Sequence, residues 1–168
     1  MFLALKKSLS DNNNLKEDGS NLPAFLYYLQ VEFPFSFNRI EKVIQSVVPS
    51  FKRFDLSYPK IEGEIDLGYT EKVHPDICFN GNYLSDGSLR LIGLVTLLMQ
   101  PKLPKVIIID EPELGLHPAA INKLSGLIKS AVAKGSQIII ATQSITLLNH
   151  FDAEDVITVD NENNQSVF

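Results

Sequence analysis

The chain has 168 residues, 45% hydrophobic and 21% charged, enough for one domain with a buried core. It has no run of about 18 apolar residues, its apolar start Met1–Leu5 is too short for a secretory signal, and its single Cys78 excludes an internal disulfide, so a cytoplasmic protein without a membrane span is expected. A net charge of -5, no Trp, and no cluster of cations larger than the pairs Lys6-Lys7 and Lys52-Arg53 give direct nucleic-acid binding by this stretch little support.

Residues 1–21 turn polar after the first few and read as a short or frayed start followed by a loop. Leu22, Phe25, Leu26 and Leu29 then recur at helical spacing over 22–31, with Pro23 suited to a first turn. Ser36 is the expected cap of a second helix, whose apolar face is Phe37, Ile40, Val43, Ile44 and Val47 and which Pro49 ends. From Phe51 to Phe79 the period shortens. Phe54, Leu56 and Tyr58, and more loosely Ile61, Ile65 and Leu67, alternate with polar residues between Gly63, Gly68 and Pro75, which predicts short antiparallel strands.

Beyond Tyr83 helices and apolar strands alternate. The spacing predicts a helix over 88–99, a strand over 106–110, a helix over 118–133 stopped by Gly135, a strand over 137–141, a short helix over 145–150 and a third strand, Val156–Val159. Strands without a polar face, alternating with helices, point to a parallel sheet covered on both faces. The expected organisation is a helical and short-strand segment over 1–82 and an α/β unit over 83–168.

The strand Val106–Asp110 ends in paired carboxylates, Asp110 and Glu111, at the strand end where doubly wound sheets place their ligands. In phosphoryl transfer one such carboxylate holds a largely hydrated Mg ion and a neighbour orients and deprotonates the attacking water. A solvated strand stop accounts for the same residues equally well when the strand is taken alone. A metal hydrolase using Asp110, Glu111 and Glu113 is a further alternative; alternation along the strand sends Asp110 and Glu111 to opposite faces, which weighs against it.

The order of the surrounding motifs is more specific. Leu84-Ser85-Asp86-Gly87-Ser88-Leu89-Arg90 precedes the strand, Asp110-Glu111-Pro112-Glu113-Leu114-Gly115-Leu116-His117-Pro118 ends it, and Thr142-Gln143-Ser144 ends the next strand. From Tyr83 to Asp160 this series resembles the ABC-type ATPases, a P-loop NTPase-like fold, and within them the SMC- and RecF-like branch. That branch includes bacterial AAA-type ATPases of DNA repair, phage defence and toxin systems.

The resemblance implies ATP and Mg2+ as cofactors and a nucleotide-sandwich homodimer, with DNA or a protein as further partner. It casts Ser85, Asp86, Gly87 and Ser88 as the signature loop that meets the nucleotide of the opposite subunit, a role that a helix start suits because its N–H groups favour anions. A plain helix cap at Ser85 or Asp86 is the competing reading. Asp110 takes the Mg-associated Walker B place, Glu111 the catalytic place, and Leu114–His117 the D-loop. His117 stands without partners at ligand spacing and reads as a turn or interface residue. Gln143 stands where the family usually has a switch histidine; its amide can hydrogen-bond a phosphate but cannot take up a proton.

None of the nine glycines is followed by Lys, so the Gly-x-x-x-x-Gly-Lys-Ser/Thr phosphate loop is absent from this sequence. Three arrangements are compatible with that: the C-terminal portion of a longer ATPase, half of a split ATPase, or a degenerate relative that binds a partner without catalysis. By itself the chain is expected to be inactive.

Overall fold

The computed structural model describes residues 6–8, 13–56, 64–162 and 165–167. Strand β1 (Lys6–Ser8) is followed by helix α1 (Leu22–Glu32), whose Leu22, Phe25, Leu26 and Leu29 are buried and whose first turn holds Pro23. Helix α2 (Pro34–Val47) starts two residues before the expected Ser36 cap, with Phe33 as its N-cap. Pro34 has its ring-fixed φ ready for the first helical position and lacks the N–H that would need a cap there, so Ser36 falls inside the first turn. Phe37, Ile40 and Ile44 of α2 face the core.

The short antiparallel strands occur as expected: β2 (Phe51–Asp55), β3 (Glu64–Asp66), β4 (Gly68–Glu71) and β5 (Cys78–Asn80). They form a three-stranded sheet in the order β2-β4-β5, with β1 and β3 as a separate antiparallel pair. Tyr58, Ile61 and Gly63 lie outside the described residues. The sheet buries aromatic rings against α2, with the Phe51 and Phe54 centroids 4.9 Å apart and those of Phe37 and Phe54 5.9 Å apart. Each ring contributes about 1.5–3 kcal/mol by leaving water. Leu91, Ile92 and Val95 join the same core from the next helix, α3 (Asp86–Met99).

Strand β6 (Val106–Asp110) and strand β7 (Gln137–Ala141) are connected through helix α4 (Pro118–Ala133). They pair in parallel, from Val106 opposite Gln137 to Asp110 opposite Ala141. Gly135 ends the α4 segment at φ 95, a conformation that costs glycine no Cβ clash. The fold is therefore α/β, with helices flanking a parallel sheet behind a helical and short-strand segment.

The described residues cover the sheet on one face only. Ile107 and Ile109 are buried in a cluster with Leu94 and Leu98 of α3 and Leu124 and Ile128 of α4. On the opposite face Ile108 is 75% exposed, and Val106 and Ile139 are each 50% exposed. Strand pleating explains the split, since successive residues alternate between a covered and an uncovered side.

Helix α5 (Ile145–Leu148) follows β7 and is shorter than expected. The third strand expected over Val156–Val159 does not form. Val156 is extended, at φ -105 and ψ 126, but this segment joins no described sheet and leaves Ile157 75% exposed. Branched side chains set its backbone without supplying a neighbour to pair with. The next pairing is a hairpin of β8 (Asp160–Glu162) and β9 (Gln165–Val167).

Candidate functional site

Parallel pairing puts Asp110 and Ala141 side by side at one end of the sheet, so the loops leaving β6 and β7 emerge together. Asp110 is exposed at that edge. Glu111, next to it, has φ 42, the one described residue other than glycine with a positive φ. A Glu in that region costs about 1 kcal/mol or more and persists only where the surroundings hold it. Both of its backbone polar groups are held: its N–H donates to the Ala141 carbonyl at 2.8 Å, and its carbonyl accepts from Arg90 Nη1 at 2.6 Å and from the Leu114 N–H at 3.2 Å.

The residues after Glu111 form a tight turn. Pro112 is buried, the Leu116 N–H donates to the Glu113 carbonyl at 2.9 Å, and Gly115 has φ 77. The Glu113 side chain turns toward the β7 end, where Oε1 accepts from the Thr142 hydroxyl at 2.5 Å, while the buried Oε2 has no partner among the described residues. Asp110, Glu111 and Glu113 therefore face different surroundings. Among the described residues, no group of three His, Cys, Asp or Glu is arranged to hold a metal. This removes the geometric basis of the metal-hydrolase alternative, whereas a single exposed Asp suits an Mg ion that keeps most of its water and takes its other ligands from phosphate.

Ser85 caps α3: its Oγ accepts from the Ser88 N–H at 3.2 Å and lies 3.0 Å from the Ser88 hydroxyl. Asp86 sits in the first turn, where a carboxylate complements the helix dipole. Gly87 abuts the turn after β6 so closely that a Cβ there would stand 2.1 Å from the Gly115 carbonyl oxygen. The helix start and the strand-end turn are thus in direct backbone contact.

His117 is a turn residue: it is the N-cap of α4, and its Nδ1 accepts from the Ala119 N–H at 3.3 Å. Gln143 is exposed between two pinned neighbours, Thr142, whose Oγ1 accepts from the Ser144 N–H at 3.0 Å, and Ser144, whose Oγ accepts from the Leu147 N–H at 3.2 Å.

Ser85 to Ser88, Asp110 and Glu111 are thus gathered through the contacts of α3 with the β6 loop, and Gln143 lies at the same sheet end. The sequence reading gave no role to Arg90 or to a pairing of Glu113 with Thr142, and placed Gly115 only as one residue of the D-loop. The one available signal was that Arg90 follows Gly87 by three residues, which puts both on one face of the helix.

Residues 8–149 match the family described as "AAA domain, putative AbiEii toxin, Type IV TA system". A 62-residue stretch, 37% of this chain, is 39% identical to the Old nuclease of Escherichia phage P2 and spans 11% of that protein. Among solved structures, one from work on ATP-driven dimerization and DNA-stimulated activation of SMC ATPases superposes with a TM-score of 0.60 at 18% identity, over 84% of this chain and 86% of that one. An SMC head bound to the C-terminal winged-helix domain of ScpA gives a TM-score of 0.64 at 18% identity, over 94% of this chain and 47% of that one. The structural likenesses establish a shared fold with SMC-type ATPase heads.

Proposed function

The chain belongs to this AAA-domain family, and on that premise we propose that it is the signature and Walker B half of an ABC-type ATPase. In this reading it becomes active when another stretch of polypeptide supplies the phosphate-binding loop. The observation that carries the proposal is the apolar face of the parallel sheet that the described residues leave bare, Val106, Ile108 and Ile139, beside the Asp110 carboxylate. Parallel strands are stable when both faces are covered, and covering this one calls for a further layer. Residues 1–82 then correspond to part of the helical subdomain.

Asp110 would hold the Mg ion and Glu111 would accept a proton from the attacking water; bound Mg–ATP would supply the phosphoryl group. Ser85, Asp86, Gly87 and Ser88 would meet the nucleotide held by the opposite subunit of a homodimer. Gln143 would read the phosphate through its amide. An unprotonatable residue in that place is compatible with sensing and with slow turnover.

The test is to reconstitute the chain with the polypeptide that carries Gly-x-x-x-x-Gly-Lys-Ser/Thr and follow phosphate release. Hydrolysis in the assembly and none with Glu111→Gln is the expected result. Turnover that survives Glu111→Gln would remove the catalytic assignment. Micromolar binding of Mg–ATP to this chain alone would contradict the need for a second half.

A second observation favours a partner-binding role that does not depend on catalysis. Arg39, Lys42 and Lys123 rim an open groove of about 590 Å³ between α2 and α4, floored by Val43, Met99 and Leu127, with no acidic residue in its lining. Folding brings together cations that are scattered in a sequence of net charge -5. The groove shares no residue with the strand-end site, and its charge suits an acidic protein segment or a nucleic-acid backbone. No described helix is long and apolar enough to cross a membrane.

A further inference from the structure

Resting on the ATPase reading above, we propose that Arg90 is a positioning residue for Glu111. Its guanidinium holds the backbone from which the carboxylate projects, and it ties the helix that starts at the signature loop to the hydrolytic residue of the same chain.

Three observations converge. Glu111 sits at φ 42, where a Glu does not stay unaided. Of the contacts that hold it there, those with Ala141 and Leu114 come from the adjoining strand end and from its own turn. The bond from Arg90 Nη1 to the Glu111 carbonyl, at 2.6 Å, is the one that crosses from another helix, 21 residues away in sequence. A bond with an ionised donor is shorter and stronger than a neutral one, as its length here reflects.

The second link between the same two segments is the contact of Gly87 with Gly115. Helix α3 therefore grips the β6 loop at two points within one turn of each other, Gly87 and Arg90. A helix transmits displacement as a rigid rod with a rise of about 1.5 Å per residue. A shift of the Ser85 end of α3 on meeting a ligand must then carry Arg90, and with it the Glu111 carbonyl. The arrangement gives the signature loop a mechanical hold on the carboxylate of its own subunit, even though that loop serves the nucleotide of the opposite one.

A purely structural tie would also produce a hydrogen bond between α3 and the loop, so the test needs a readout that such a tie would not move. In the reconstituted ATPase, Arg90→Ala should lower kcat by about 10- to 100-fold, the scale on which small misplacements of a reacting group act. The KM for ATP should stay within about twofold, and Arg90→Lys, which keeps one charged donor, should recover part of the loss. An Arg90→Ala enzyme with undiminished kcat, or one whose loss appears in KM alone, would overturn the proposal. If the wild-type assembly shows no hydrolysis, it is the ATPase reading that fails.

The holding of Glu111 is tested apart from catalysis, by denaturant unfolding of the 168-residue chain. Arg90→Ala should shift the folding equilibrium toward the unfolded state by about tenfold in the parent chain. In a Glu111→Gly background, where the backbone adopts positive φ unaided, the shift should shrink to about threefold. An equal shift in both backgrounds would show that Arg90 does not support the left-handed conformation, and would overturn the positioning role whatever the ATPase result.

Discussion

Gly87 and Gly115 meet backbone to backbone, and a Cβ on Gly87 would stand 2.1 Å from the Gly115 carbonyl oxygen. The glycine of Ser85-Asp86-Gly87-Ser88 is thus required by packing within this chain, whatever it does toward a nucleotide. Gly87→Ala must push α3 off the β6 loop. It should cost roughly 1–3 kcal/mol, as overpacking does, and chemical denaturation should show a lowered midpoint. A midpoint equal to that of the parent would mean that the two segments do not approach this closely.

Glu111 offers a separation of stability from chemistry. Glu111→Gly removes a side chain from a backbone at φ 42 and should stabilise the chain by about 0.5–1 kcal/mol, while leaving the reconstituted assembly without hydrolysis. Calorimetric melting alongside a phosphate-release assay checks both halves. A less stable Glu111→Gly variant would place the carboxylate in the structural support of the fold.

Glu41 gives a pH signature remote from the site. Burial raises its carboxyl above the ordinary 4.5, outweighing the Phe54 N–H that donates to it and the nearby Arg53, both of which lower it. The folded chain therefore binds this proton more tightly than the unfolded chain does. Stability falls as pH rises from 4.5 through the raised folded-state value, and above it the cost is complete. Glu41→Gln keeps an oxygen for the Phe54 N–H without the charge. It should be more stable than the parent at neutral pH and should lose that advantage in acid. Unfolding curves taken across acid and neutral pH decide the matter, and parallel pH profiles for the two proteins would contradict it.

Ile108 tests the bare face. At 75% exposure it has little burial to lose, so Ile108→Lys should change the stability of this chain by less than about 0.5 kcal/mol. The same substitution should prevent assembly with the half that carries the phosphate loop, because a buried unpaired ammonium is costly. Co-purification and denaturation together report the two effects. Assembly that proceeds normally with Ile108→Lys would place the complementary layer elsewhere.

The elements with strong periodicity were legible from the sequence. The run Val106-Ile107-Ile108-Ile109, the helix from Pro118 and the strand stopped at Ala141 carry their own boundaries. The coverage of the sheet was not legible, because an apolar strand states a need for cover without saying which chain provides it. Val156–Val159 failed for the same reason: its residues favour an extended backbone, while pairing depends on a neighbour that local sequence does not encode. Within the candidate site, the motif residues could be read from their order. The backbone contacts between them could not, since a carbonyl such as that of Glu111 has no letter in the sequence, and the Arg90 that reaches it could have pointed elsewhere on its helix.

The β6–β7 pair has one further consequence. Among the described residues each strand bonds to the other alone, so the outer edge of each carries backbone donors and acceptors with no strand beside them, next to a greasy face. Such edges recruit whatever strand arrives first, and one copy can serve as that strand for the next. In the proposed assembly, the stretch of polypeptide that covers this face would also keep these edges from a second copy, so without it the chain should tend to self-associate.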